Sequence, residues 1–324
     1  MYKIYDRWPQ IARESYESEQ ELAEFGEINH IVFSGMGGSG AIGDVFSSIL
    51  SKTKIHVCVV KGYVLPGTID SNTLVVTTSV SGNTTETLSV LDTASKLGCK
   101  VIAFSSGGKM ERFCVKNKVE YRKIPMVLSP RASFPAFLYS MLKILSHVIP
   151  VKNDEVTESI SKLERLQKSI WSSNLTINNP SLALAEWING IPMIYYPHGL
   201  EAVAIRFKNS LQENAKSHAM AEDVIEASHN GIVSWERNKF RVQPILIEGA
   251  DDYIKTKERW NILKEYFKKN KIDYKEIHSI KGGILSKSLT LMYLLDYCTL
   301  YLAALSKLDP SPVRSIDYLK NKLG

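Results

Sequence analysis

Cysteine is scarce: Cys58, Cys99, Cys114 and Cys298 are the only four in 324 residues. None lies two residues from another and none adjoins a histidine, so the chain offers no metal cluster and no metal is expected. A chain of this length gains little from disulfides without an export signal, and all four are expected as small buried apolar residues. Long apolar runs are lacking too, and stretches such as residues 191–197 fall far short of the ~20 residues of a membrane span. The opening MYKIYDRWPQ has neither an apolar core nor a small-residue cleavage site, so no secretory signal is read and a cytoplasmic location is expected. No block of five or more like charges occurs, nor an aromatic-and-basic array suited to stacking bases. Nucleic acid and membrane are therefore not expected as partners. The Walker arrangement of glycine, lysine and a hydroxyl residue is also missing.

What is present is a patterned chain long enough for two domains of roughly 150 residues each. Forty basic and 34 acidic residues leave a net charge of +6, which suits an anionic ligand without naming one. Residues 1–25 read as helical with a glutamate-rich face. Short apolar runs at 28–33, 55–60, 73–78, 101–104 and 119–124 then read as strands. Helical spacing follows over 41–50 and 84–97, and an apolar helix over 135–148. Strands alternating with helices through short loops predict an α/β fold with a parallel sheet covered on both faces. Residues 151–179 read as a linker with one bridging helix, between an N-terminal domain (1–150) and a C-terminal domain with its tail (180–324). INHIVFSGMGGSGAIGDVFSSIL (28–50) and GIPMIYYPHGLEAVAIRFKNSLQ (190–212) share the order strand, glycine turn, amphipathic helix, which suggests a duplicated domain. The second half lacks any counterpart of SVSGNT, so the halves should do different work.

Two loops of the first half have the chemistry to hold a phosphate. GMGGSG (35–40) offers glycines Gly37 and Gly38 for close backbone approach, and the Ser39 hydroxyl. SVSGNTTET (79–87) sets Ser79, Ser81 and Thr84 at a strand-to-helix turn, where free N–H groups and the helix dipole favour an anion. A dinucleotide is disfavoured because Lys61-Gly62, not an acidic residue, follows the second strand.

With these loops the chain resembles the sugar isomerase (SIS) domains. More specifically, it resembles the bifunctional phosphoglucose/phosphomannose isomerase family, which has two such domains. SGMGGSGAIGD (34–44), SVSGNTTETL (79–88), SPRASFP (129–135), SLQENAK (210–216), SHNGIV (228–233) and DPSPVRSIDYLK (309–320) follow the family's order across nearly the whole chain. The resemblance implies an aldose–ketose isomerase that interconverts fructose 6-phosphate with glucose 6-phosphate and mannose 6-phosphate through a cis-enediolate, without a cofactor. It gives Glu213 the proton transfer and His229, from the neighbouring subunit of a homodimer, the ring opening. Lys320 assists at the ring, and Arg131 stabilises enediolate charge with its planar cation. On residues alone, Glu213 and Lys320 would read as solvated groups, and His229 as an ordinary loop histidine. Val80 stands where the family commonly has an aromatic residue. Ser311 or Ser315 could supply the hydroxyl credited with accommodating mannose. A non-catalytic sugar-phosphate sensor on the same domains is the alternative, although such sensors generally carry an appended helix-turn-helix.

Overall fold

The computed structural model describes residues 1–237 and 241–323. They fall into two compact units, one of Asp6–Glu164 with Gly283–Ser286, the other of Met1–Tyr5, Arg165–Gly282 and Lys287–Gly324.

The chain opens with two short helices, α1 (Tyr2–Asp6) and α2 (Trp8–Glu17), and not with helix as far as residue 25. Ser18 ends α2: its backbone turns extended (φ −62°, ψ 145°) and its hydroxyl donates to the Ser15 carbonyl at 2.9 Å. A serine that bonds nearby backbone in this way competes with helix continuation. There follow β1 (His30–Ser34), α3 (Gly37–Leu50), β2 (His56–Val60), β3 (Thr73–Ser79), α4 (Thr85–Ala94), β4 (Lys100–Ser105), α5 (Gly108–Asn117) and β5 (Glu120–Lys123). Helices α6 (Phe134–Ile144) and α7 (Asn153–Ile170) come next. The five strands form one all-parallel sheet in the order β2-β1-β3-β4-β5.

β1 and β3 are buried over their whole length, as central strands covered on both faces must be. Successive side chains serve opposite faces. Phe33 stacks on Phe46 of α3 with centroids 4.9 Å apart, while Val32 joins Val75, Val90 and Ala94 in a cluster that includes α4. α5 is mostly polar (GKMERFCVKN) and buries only Met110 and Cys114, so its apolar stripe is too thin to stand out by periodicity.

The other unit repeats the architecture. Its elements are α8 (Pro180–Trp187), β6 (Ile191–Tyr196), α9 (Glu201–Asn214), β7 (Met220–Asp223), α10 (Val224–Ala227), a 3-10 turn (Gly231–Arg237), β8 (Val242–Glu248), α11 (Ile254–Lys269), β9 (Lys275–His278), α12 (Ile284–Leu305) and α13 (Arg314–Leu323). The sheet order is β7-β6-β8-β9, again all parallel. α12 is long and apolar enough by length and composition to cross a membrane, yet 83% of its most apolar window is buried in the fold.

On α12, the fully buried Asp296 faces a stripe of α9. Arg206 donates to its Oδ2 through Nε (3.0 Å) and through a terminal nitrogen (2.6 Å), and the Ser210 hydroxyl donates to Oδ1 at 2.7 Å. One turn further along α9, the Asn214 amide donates to Thr299 Oγ1 at 2.8 Å. Residues 206, 210 and 214 lie on one helix face, so the ladder fixes how α9 is rotated about its axis. Desolvation cancels much of the Coulombic gain of such a pair, and its main effect is on geometry rather than on net stability.

At the N-terminal end of the first sheet, His30 is buried with its ring 4.8 Å from that of His56 on the paired strand. Burial, and then the charge on His56, hold the His30 pKa below the usual imidazole value against weaker opposing pulls from Asp70 and the Thr68 backbone. The unfolded chain therefore takes up this proton first, and stability declines as pH falls through about 6.5 toward the lower folded-state value. Urea midpoints measured from pH 8 to pH 5 should fall, and His30→Gln should flatten the slope; parallel slopes in the two proteins would count against this linkage.

Candidate active site

β1 and β3 are hydrogen-bonded neighbours although β2 lies between them in sequence. The chain therefore leaves their C-terminal ends toward opposite sides, and the turns that follow each strand open side by side. The glycine-rich run is not a separate loop. Gly37 to Gly40 form the first turn of α3, and its N-cap, Met36, makes no side-chain cap. A helix N-terminus without such a cap is suited to receive an anion.

The glycines allow three backbone segments to crowd together there. A Cβ on Gly35 would lie 2.9 Å from the Ser39 carbonyl carbon and 3.0 Å from the Thr78 oxygen, and one on Gly38 would lie 3.2 Å from Arg131 Cα. The Val80 N–H donates to Ser39 Oγ at 3.2 Å, which ties the first turn of α3 to the serine loop. Ser79 Oγ and Thr84 Oγ1 share a hydrogen bond of 2.9 Å, and the Asn83 N–H donates to Ser81 Oγ at 3.3 Å. Ser39 and Ser79 are buried, and Ser81 and Thr84 are half-buried.

Arg131 is 6% exposed, which rules out an ordinary surface arginine. Its loop is tied by Ser133, whose hydroxyl donates to the Ser129 carbonyl (2.8 Å) and accepts from the Val127 N–H (2.8 Å). The structure thus brings the two loops that carry Gly37, Gly38, Ser39, Ser79, Ser81 and Thr84 together, with the backbone of Arg131 packed on Gly38.

The turn SSGG escaped the sequence reading, and Lys61 entered it only as an argument against a dinucleotide. The turn SSGG (105–108), between β4 and α5, braces the serine loop. The Ser106 N–H and hydroxyl both donate to the Val80 carbonyl, at 3.0 and 2.7 Å, and the Met110 N–H donates to the Gly82 carbonyl at 2.9 Å. A strand followed by serines and glycines is the same signal that marked the first two loops. Lys61, at the end of β2, pairs with Asp44 of α3 at 2.6 Å and lays its stem against Gly40. Burial raises the Asp44 pKa, and the lysine opposes that rise. A dinucleotide site would want a carboxylate where this lysine stands.

In the second unit, Glu213 is the penultimate residue of α9 and half-buried. His229 is exposed in the turn after α10, where its N–H donates to the Glu226 carbonyl at 2.9 Å. Lys320 is exposed on α13. Here the N-terminus of α9, after β6, likewise lacks a side-chain cap, but the turn after β8 differs. At the matching turn after β8, Asp252 Oδ2 accepts from the Gly249 N–H (3.0 Å) and from Trp260 Nε1 (3.0 Å), so a carboxylate of the chain itself occupies the amide. Nearby, Glu248, Glu276 and His278 bring ligand atoms within 4.8 Å of one another. The Lys264 ammonium lies 3.1 Å from both glutamates and already supplies their positive charge.

Residues 24–117 match the SIS domain, and residues 177–323 match the bacterial phospho-glucose isomerase C-terminal SIS domain. The protein is therefore a double-SIS α/β protein of the sugar isomerase class. Over its full length it is 35% identical to the bifunctional phosphoglucose/phosphomannose isomerase of Caldicellulosiruptor bescii, covering 98% of that relative. It is 32% identical over 92% of its length to the protein of the same name from Thermoplasma acidophilum, covering 91% of it. The chain belongs to the bifunctional phosphoglucose/phosphomannose isomerase family. Among solved structures, the C-terminal domain of glucosamine-fructose-6-phosphate aminotransferase from Francisella tularensis shares the fold. Its TM-score is 0.70 at 14% identity, over 95% of this chain and 96% of that one.

Gly82 tests the packing of the loops. It has φ +68°, and a Cβ there would collide with the Gly107 carbonyl oxygen. Gly82→Ala should force the serine loop away from its brace and raise KM for a sugar phosphate about tenfold or more, with a lowered melting temperature. An unchanged KM in folded Gly82→Ala would show that the close approach does not matter for binding.

Proposed function

We infer that the protein interconverts fructose 6-phosphate with glucose 6-phosphate and with mannose 6-phosphate through a cis-enediolate. The observation that carries this reading is the buried Arg131, whose backbone packs on Gly38 at the start of the anion-binding helix. A sugar phosphate gripped at that turn has a fixed cation nearby, available to the negative charge that develops on an enediolate oxygen.

In this reading the α3 turn and the hydroxyls of Ser39, Ser79, Ser81 and Thr84 hold the phosphate. Glu213 takes the proton from C2 of the aldose and returns it to C1, and the reverse for the ketose. Ring opening needs a separate acid–base pair at the ring oxygen, and His229 and Lys320 are assigned to it. Because the proton travels through a carboxylate, the scheme needs no metal. His229 serves from the neighbouring subunit of a homodimer, and its exposure leaves it accessible to a second copy. The enzyme then works in the cytoplasm, in glycolysis and gluconeogenesis.

A coupled assay on purified protein tests the activity with each aldose phosphate. Glu213→Gln should lower kcat by about 10²- to 10⁴-fold with little change in KM; retained turnover would remove Glu213 from the role of base. The shared site has its own test. Inactive Glu213→Gln and inactive His229→Ala proteins, mixed in equal amounts and allowed to exchange subunits, should regain about a quarter of wild-type activity. No recovery after proven exchange would place His229 in its own subunit's site.

A further inference from the structure

We propose that Lys216 is a positioning residue that latches the C-terminal tail to the end of α9, and so sets Lys320 in place for turnover. The proposal rests on the roles given above to Glu213 and Lys320.

Lys216 has φ +55°, a left-handed backbone that glycine adopts freely and lysine resists. Such a conformation is common just past a helix end, and glycine is its usual occupant. A lysine there turns its side chain back on the helix. Its ammonium donates to the Glu213 carbonyl at 2.5 Å, in the last turn of α9, where carbonyls lack helical partners and the dipole is negative. The same ammonium donates to the Pro312 carbonyl at 2.7 Å. One cation thus joins the backbone of the residue assigned as base to the segment that leads to Lys320.

That segment is built to be held. Asp309 Oδ1 accepts from the Ser311 N–H at 2.8 Å, and Pro310 and Pro312 restrict the backbone between α12 and α13. Asp309 keeps a low carboxyl pKa, first through Ser311 and with a smaller contribution from the Lys216 charge. α13 itself has little packing to hold it, since Tyr318 is 64% and Leu319 60% exposed. Its position is therefore governed by its root. Lys320 lies six residues into the helix from Arg314, about 9 Å of axial rise, so a small swing at Pro312 displaces its ammonium by a comparable or larger amount.

The test compares Lys216→Met, Lys216→Gly and Lys216→Arg with Lys320→Met, following kcat and KM for fructose 6-phosphate and hydrogen exchange over residues 313–323. The glycine variant is the discriminating one, because it relieves the backbone while cutting the latch. Lys216→Met and Lys216→Gly should lower kcat about ten- to a hundredfold with KM within a few-fold, and should speed exchange in the tail, with no loss of melting temperature in Lys216→Gly. Lys216→Arg, which keeps a long cation, should recover most of the kcat. Unaltered tail exchange in Lys216→Gly would overturn the latch. So would wild-type kcat in that variant while Lys320→Met is inactive. Wild-type turnover in Lys320→Met would overturn the proposal together with the role of Lys320, and so would locate the failure in the functional reading rather than in the tether.

Discussion

The parallel pairing of β1 with β3, His30 with Thr73 through Ser34 with Thr77, decides where everything in the first unit goes. Because β2 pairs on the other side of β1, the chain leaves the two central strands in opposite directions, and their following turns open into one crevice. The uncapped first turn of α3 and the serine loop are then forced together. Gly35 follows from this constraint, since a Cβ there meets the Thr78 carbonyl at the end of β3, while Gly82 answers to the turn after β4, where a Cβ would meet the Gly107 carbonyl. Arg131 follows as well, because its loop lies on the same glycine-lined surface.

The second unit applies the same topology to another end. Its sheet order repeats the pattern around β6 and β8, yet the turn after β8 is filled by Asp252. What this unit adds is a firmly oriented helix. The Arg206–Asp296 pair and the Ser210 and Asn214 hydrogen bonds hold α9 against α12 along one stripe, so the residues near its C-terminus emerge at a set angle. Glu213 sits immediately before the last rung. The two units thus share a parallel sheet order while different polar groups stand at their strand ends.

Much of the fold was legible because parallel strands covered on both faces are short unbroken apolar runs, and because glycine-rich turns separate them from amphipathic helices. Where legibility failed, local chemistry was the cause. Ser18 stops α2 with a bond of its own hydroxyl, a competition that composition does not display. α5 has so narrow a buried stripe that its periodicity is lost among charged residues. The glycine run read as a loop is helical from Gly37, because glycine marks both a turn and a place of close approach.

Sequence alone determined the residue types at the two turns, glycines and hydroxyls at strand-to-helix junctions of the kind suited to an anion. It also determined which family the chain resembles, since the motifs lie along the chain in order. Tertiary structure alone decided that Arg131 is buried, that SSGG (105–108) braces the serine loop, and that Asp252 fills the second unit's turn. It likewise decided that Lys216 reaches back to Glu213 and across to Pro312. Some of these contacts span only three residues, as Asp252 to Gly249 and Lys216 to Glu213 do. Others span 26 or 96, as Ser106 to Val80 and Lys216 to Pro312 do, and all depend on where the folded backbone sets a side chain. Helical and strand periodicity encode which face is apolar, but not which distant group will lie opposite it.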